Sequence, residues 1–180
     1  MFQLHLSNLH FLGSKAHDQQ RDFCLHGDVA VSLGKEVIRY EGASVTGSAL
    51  QFMRSGLFPH TLGEGLQILP CCGHFWIAAE DGQSVEIFGC DGGIDFDISH
   101  HGEEIVIRTE AGKFYQVPQA EYRAAVLAFA EEVEACYRAS PEKIPPNDPF
   151  ERAGFQAFQK EWIRLKKDLK VSDAILSGVS

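Results

Sequence analysis

The stretch that decides the fold is Ser84–Val117, which reads SVEIFGCDGGIDFDISHHGEEIVIRTEAGKFYQV. Short runs rich in Val, Ile and Phe alternate here with turns such as Asp91-Gly92-Gly93 and His101-Gly102. Such alternation is typical of antiparallel hairpins. We therefore predict a β-meander over about Phe75–Val117, with strands at His74–Ala79, Ser84–Phe88, Ile94–Ser99, Glu104–Thr109 and Lys113–Val117.

After the meander, apolar residues recur every three or four positions, which indicates amphipathic helices. The first stripe is Tyr122, Val126, Phe129, Val133 and Tyr137, and the second is Phe155, Phe158, Trp162, Leu165 and Leu169. Three prolines in residues 140–146 separate the stripes. Asp148-Pro149 is typical of a helix start, with Asp as the N-cap and Pro in the first turn. We predict helices near residues 119–139 and 149–168.

The N-terminal part predicts a further strand, a hairpin and a short helix. Phe2–Leu6 alternates apolar and polar residues, and Val29–Leu33 and Glu36–Tyr40 flank a turn at Gly34-Lys35. A short apolar stripe between Ser44 and Gly56 predicts the helix. Strands followed by helices favour the α+β class, and 180 residues fit one domain. We therefore predict a single α+β domain over residues 1–180, with an antiparallel β-meander sheet packed by two C-terminal amphipathic helices.

Composition limits the compartment and the partners. The N-terminus lacks a basic segment, so no signal peptide is expected, and no apolar run approaches the roughly 20 residues of a membrane helix. The chain has an odd number of cysteines, five, and two of them, Cys71 and Cys72, are adjacent. Both features argue against a secreted disulfide scaffold. We expect a cytoplasmic protein with reduced thiols, without a disulfide, structural zinc or another cofactor.

The negative charge is concentrated in one segment. The net charge is −9, and residues 73–107 contain eight Asp and Glu residues but no Lys or Arg. Such a surface repels nucleic acid and anionic membranes, so neither is an expected partner. It is suited instead to a basic protein or a cation.

Strand alternation predicts an acidic face within this segment. If Ile94, Phe96 and Ile98 point inward, the carboxylates between them point outward, and the neighbouring strands behave in the same way. The predicted face consists of Glu86, Asp95, Asp97 and Glu104. One interpretation is a solvated sheet surface; the other is a docking face, because acidic patches steer basic proteins.

Two kinds of chemistry remain as alternatives. Cys71, Cys72, His74 and Cys90 or Cys24 could supply a tetrahedral zinc site, although they lack paired CxxC spacing. The loop at Asp91–Asp97 is similar to a cation-binding loop but lacks the EF-hand spacing and terminal Glu. The sequence contains no nucleophile elbow, P-loop or dinucleotide-binding glycine pattern, so we predict no catalytic residues.

One set of residues resembles a known family. The set comprises the Tyr122–Tyr137 stripe, Ser140, Lys143, Pro146, the segment Phe155-x2-Phe158-x2-Glu161-Trp162-x-Arg164, and Pro70-Cys71-Cys72-Gly73-His74. Over about residues 23–165, this pattern is similar to small bacterial proteins of the immunity-protein type, which accompany polymorphic or contact-dependent toxins. The resemblance implies a cytosolic antidote that binds one cognate toxin, and it transfers no catalytic residues.

The sequence as a whole favours a non-enzymatic binding protein. We predict an immunity protein, a toxin inhibitor that neutralises a basic bacterial toxin by occluding its active site. Glu86, Asp95, Asp97 and Glu104 would bind the partner. The alternative function is a zinc-binding domain, and under this alternative the protein could be an enzyme.

Overall fold

The computed structural model describes residues 1–72 and 75–176, with side chains to residue 171. The protein is α+β, as predicted. The strands are β1 (Phe2–His10), β2 (His26–Leu33), β3 (Glu36–Ser44), β4 (Leu69–Pro70), β5 (Phe75–Ala78), β6 (Val85–Phe88), β7 (Gly93–Ile94), β8 (Phe96–His101), β9 (Glu104–Thr109) and β10 (Phe114–Pro118). The helices are α1 (Ala16–Arg21), α2 (Val45–Ser55), α3 (Gln119–Ala139) and α4 (Pro149–Leu176).

The first three strands form an antiparallel sheet with β2 in the middle. The predicted hairpin is confirmed, and its turn contains Gly34, whose φ of 64° is a left-handed conformation that glycine adopts without strain. Strand β2 runs back antiparallel to β1, so that Leu33 lies opposite Phe2. Val29, Val31 and Leu33 alternate inward from β2 and are buried. The sheet packs against α2 and α3.

The predicted meander is shorter than the sequence suggested. Strands β8, β9 and β10 form a three-stranded antiparallel meander, whereas β5 and β6 form a separate hairpin. Between them, β7 pairs with β4, so that Pro70 lies opposite Gly93. This pairing draws the chain away from β6, and a new sheet begins after Asp95. Local alternation could not reveal that β4, which is distant in sequence, interrupts the series.

Helix α2 lies at the centre of the molecule and contacts both β2 and the two C-terminal helices. Its polar side chains are buried but hydrogen-bonded, which removes the cost of leaving water. The Ser55 hydroxyl lies 2.7 Å from the Tyr122 hydroxyl, and the Gln51 amide donates to the Leu66 carbonyl at 2.6 Å. Both bonds fix the helix to surrounding elements.

The two predicted C-terminal helices are confirmed. The buried stripe of α3 includes Tyr122, Val126, Phe129 and Val133, and that of α4 includes Phe158, Trp162, Leu165 and Leu169. Asp148 caps α4 as predicted, because its Oδ1 accepts from the Phe150 and Glu151 amides at 2.9 and 3.1 Å. Helix α4 continues to Leu176, two turns beyond the predicted end. Within the described part of the chain, no helix has the length and apolarity needed to cross a membrane.

A close helix–strand contact positions the β5–β6 hairpin on α4. A Cβ at Gly154 would lie 1.8 Å from the Trp76 carbonyl oxygen, so only glycine permits this approach. Trp76 stacks on Phe158 with ring centroids 4.2 Å apart. The hairpin is therefore fixed to a long helix rather than to the edge of a larger sheet.

Replacing Trp162 with alanine tests the importance of the α4 stripe. The Trp162 ring is 8% exposed, and its Nε1 donates to Glu134 Oε1 at 2.7 Å. We expect Trp162→Ala to lower the free energy of unfolding by about 3–5 kcal/mol, the cost of truncating a buried aromatic. Urea denaturation measures it. Ile163→Ala is the control, because Ile163 is 68% exposed and its loss should change stability by less than about 0.5 kcal/mol. Equal stability of the two variants would contradict the buried stripe.

Candidate functional site

The four predicted partner-binding carboxylates do not share one face. Glu86 lies on β6, which pairs with β5, whereas Asp97 and Glu104 lie on the paired strands β8 and β9. Glu86 and Glu104 are exposed, as alternation predicted. Asp95 is buried, contrary to the prediction that it points outward. The predicted face is wrong because β6 and β8 belong to different sheets.

Asp95 is a structural anchor for the loop between α2 and β4. Its Oδ1 is 2.8 Å from His60 Nε2 and accepts from the Ile68 amide at 3.1 Å, and its Oδ2 accepts from the Gly63 amide at 2.8 Å. Burial raises the pKa of Asp95, but hydrogen bonds from His60 and Gly63 outweigh it and hold the pKa below its usual value. The ionised carboxylate therefore organises residues 60–68.

Asp97 is also engaged within the protein. The Leu62 amide donates to its Oδ1 at 2.6 Å, and Arg108 Nε donates to its Oδ2 at 2.5 Å. The bond from the Leu62 amide, followed by the pairing with Arg108, holds the pKa of Asp97 below its usual value. Of the predicted four, Glu86 and Glu104 thus remain exposed, and their role in binding a partner stays a prediction.

Glu86 lies on a large cleft between the α2–β4 loop and the β5–β6 hairpin. The cleft has a volume of about 790 Å³. Its lining contains four carboxylates and two guanidinium groups and is therefore net acidic: Glu64, Glu86, Asp91, Glu161, Arg54 and Arg164. The acidic segment thus contributes to a concave surface rather than to a flat sheet face.

Exposed aromatic side chains accompany this cleft. Phe58 and Phe88 line it and are 57% and 53% exposed. Phe75 lies opposite Phe88 across the β5–β6 hairpin and is 70% exposed. Large exposed apolar groups beside polar residues are typical of interaction sites. We call Phe58 and Phe88, together with their neighbour Phe75 outside the cleft lining, the aromatic rim.

An ion pair between half-buried Arg54 and buried Glu161 forms the floor of the cleft. Arg54 on α2 donates to both carboxylate oxygens of Glu161 on α4, at 2.9 and 2.8 Å. Glu161 also accepts from the Val85 amide at 2.8 Å, and Arg54 donates to the Val85 carbonyl. These bonds connect two helices and β6. Because Glu161 is saturated by these donors, its role is structural.

Three cysteines come together behind the cleft edge. Cys71 and Cys90 form a disulfide, so the expectation that all thiols are reduced is wrong for these two. The β4–β7 pairing explains the contact, because it places Cys71 beside Gly92 and therefore close to Cys90. Cys72 Sγ lies 3.7 Å from Cys71 Sγ, and the Cys90 amide donates to Cys72 Sγ at 3.1 Å.

The remaining members of the predicted zinc set are Cys24 and His74, and Cys24 does not belong to the three-cysteine cluster. Cys24 is buried, and its Sγ is 2.9 Å from the Ser44 hydroxyl. Burial raises the pKa of the Cys24 thiol to about 12, which disfavours the thiolate that binds metals. His74 lies outside the described residues.

Comparison of the chain with protein-family models, curated proteins and solved structures finds no match. The geometry of the cleft and of the cysteine cluster is therefore the basis for inference about function.

Replacing Glu161 with glutamine tests the cleft floor. We expect a loss of about 3 kcal/mol in unfolding free energy, the low end for breaking a buried ion pair, because Arg54 retains water contact. Arg164→Gln is the control, since Arg164 lies 4.0 Å from Glu161 and its side chain is 48% exposed. Its loss should change stability by less than about 1 kcal/mol. Guanidinium denaturation compares the two variants. If Glu161→Gln lost no more stability than Arg164→Gln, the structural role of Glu161 would be refuted.

Acidification tests the Asp95 anchor. The pKa of Asp95 in the folded protein lies below its ordinary value of 3.8. Ionised Asp95 therefore stabilises the fold fully at pH values above this ordinary pKa. This contribution should disappear as the pH falls through the folded-state pKa. We expect Asp95→Asn to cost about 1–3 kcal/mol at pH 7, since donors lose an ionised acceptor, and to flatten this acid dependence. Urea denaturation at several pH values measures it, with exposed Glu132→Gln as the control. Unchanged stability of Asp95→Asn at pH 7 would contradict this.

Proposed function

We propose that this protein is a non-enzymatic binding protein whose acidic cleft accommodates part of a basic protein partner. The main support for this proposal is that the net-acidic cleft and the exposed aromatic rim are adjacent. Charge and aromatic area serve different stages of association. The first accelerates the encounter, and the second stabilises the complex.

The exposed carboxylates are suited to steering. Glu64, Glu86 and Asp91 are exposed on the cleft lining. They outnumber Arg164, the half-exposed guanidinium that also lines the cleft. Arg54 is neutralised by Glu161 in the floor. A basic partner is therefore attracted to the cleft, and salt should weaken this attraction because it screens exposed charges.

The aromatic rim is suited to anchoring. Phe75 and Phe88 are paired across the hairpin, which α4 holds in place through Trp76 and Gly154. Side chains held on a rigid element lose little conformational freedom on binding, so more of their contact energy is retained. Aromatic residues, phenylalanine included, are enriched in the cores of protein interfaces.

Within this class, we propose an immunity protein of the bacterial cytoplasm that inhibits a toxin by covering its active site. Support comes from the sequence resemblance over about residues 23–165 and from the acidic cleft. Toxin domains that act on nucleic acid need basic surfaces, because their substrate is a polyanion. An acidic concave surface would compete for the same groups.

Growth protection by cleft variants tests this proposal. The probe is the product of the neighbouring gene, expressed in a bacterial host together with this chain. We expect the wild type to restore growth and Phe88→Ala to weaken protection, because it removes an anchor from the rim. Glu64→Gln with Glu86→Gln should slow association of the purified pair at low ionic strength and have less effect at high ionic strength.

Two matched variants distinguish cleft effects from general ones. Phe114→Ala removes a 68% exposed phenylalanine on β10, and Glu132→Gln removes an exposed carboxylate on α3. Both should protect as well as the wild type. Failure of the wild type to protect would overturn the immunity role, and equal protection by Phe88→Ala and Phe114→Ala would overturn the cleft as its site.

A further inference from the structure

We propose that Cys71, Cys72 and Cys90 form a thiolate site for Zn²⁺ in the reduced protein, and that the Cys71–Cys90 disulfide closes this site when it forms. The three Sγ atoms lie within 4.8 Å of one another, and within the described residues they are the one group of His, Cys, Asp or Glu with this property. Thiolates at such separations can reach one ion, because a Zn–S bond is about 2.3 Å long.

The fold brings the three sulfurs together through two backbone segments. Strand β4 leads into Cys71 and Cys72, and the turn after β6 carries Cys90. The Cys71 amide donates to the Gly92 carbonyl at 3.3 Å and thus holds these segments side by side. A Cβ at Gly92 would lie 3.2 Å from Cys71 Sγ and 3.4 Å from Cys90 Sγ. Glycine at this position leaves room around both sulfurs.

The surroundings of the three sulfur atoms favour the binding of a metal cation. The Cys90 amide already donates to Cys72 Sγ at 3.1 Å, as it would to a metal-bound thiolate. Asp91 follows Cys90, and residues 73–107 lack Lys and Arg, so the local charge is negative. Cys90 is exposed, and Cys71 and Cys72 are half-buried, which leaves a route for an ion and a reductant.

Disulfide and metal are alternative states of the same sulfurs. A dithiol can transfer two electrons and two protons to the Cys71–Cys90 bond; the S–S bond breaks, two thiols form, and the dithiol becomes a disulfide. Zn²⁺ then displaces the protons of Cys71, Cys72 and Cys90 and forms three Zn–S bonds. A fourth coordination position remains for water or another donor.

This site lies at the edge of the cleft without depending on the proposed partner. Cys90 and Asp91 line the cleft, whereas Cys71 and Cys72 approach it from β4. An ion held by all three sulfurs would fix the turn after β6 to the start of the segment after β4. Metal binding can therefore be measured on the isolated protein, and its failure would leave the docking proposal intact.

Titration with Co²⁺, followed by Zn²⁺, tests the site. The full chain is reduced with a phosphine, freed of excess reductant under nitrogen and titrated with Co²⁺ in an absorption cell. We expect one Co²⁺ per chain with a sulfur-to-cobalt charge-transfer band, and displacement of that Co²⁺ by one equivalent of Zn²⁺. The protein carrying the Cys71–Cys90 disulfide should show no such band.

Cysteine variants identify the ligands. Cys72→Ser and Cys90→Ser should each weaken Co²⁺ binding by at least about 10-fold, since even residues behind the ligands have effects of 10–100-fold. Cys136→Ser on α3 is the control and should bind as the wild type does. Circular dichroism checks each fold; the exposed Cys90 provides the test if Cys72→Ser unfolds. A reduced wild type without the band, or unchanged binding by Cys90→Ser, would overturn the site. An equal band in the disulfide form would overturn its closure by oxidation.

Discussion

The ion pair between Arg54 and Glu161 is the constraint on which the arrangement of the second half depends. It joins α2 to α4, and both of its members bond the backbone of Val85 on β6. The β5–β6 hairpin is outside the larger sheets, so it has no central strand to define its position. Its position is set by this charge network on one strand and by the contact of Gly154 with Trp76 on the other. The network joins residues 107 positions apart and therefore forms only when the tertiary structure does.

The same constraint gives the cleft one fixed wall and one separately anchored wall. The hairpin wall is attached to α4, whereas residues 60–68 are held through the carboxylate of Asp95. The two walls therefore rest on different interactions, and mutation can separate their contributions to the proposed binding. The disulfide-linked cysteines lie near the end of the fixed wall.

The sequence predicted those elements that depend on local periodicity. Alternation and turn residues predict the N-terminal hairpin and the last three strands of the five-stranded meander. Periodicity predicts the stripes of the two C-terminal helices, and Asp148 predicts the start of α4. The sequence could not predict which strands pair across long separations, so it missed the β4–β7 pair and the separation of the β5–β6 hairpin from the meander. Every error in the candidate site followed from this. Alternation predicts that Asp95 points outward, whereas its side chain is buried. The sequence groups Cys71 and Cys90 only as possible zinc ligands, and neither their spacing nor their neighbours reveal the disulfide between them.

The aromatic rim has a consequence for the protein in the absence of any partner. Exposed phenylalanines on a short two-stranded hairpin invite self-association, and strand edges increase that hazard. Two copies meeting rim to rim would bring Glu86 of each toward the acidic surface of the other, and like charges would oppose the contact. Carboxylates beside exposed aromatic residues thus oppose aggregation of the protein. The surface proposed to bind a basic partner would therefore also disfavour contact between identical copies.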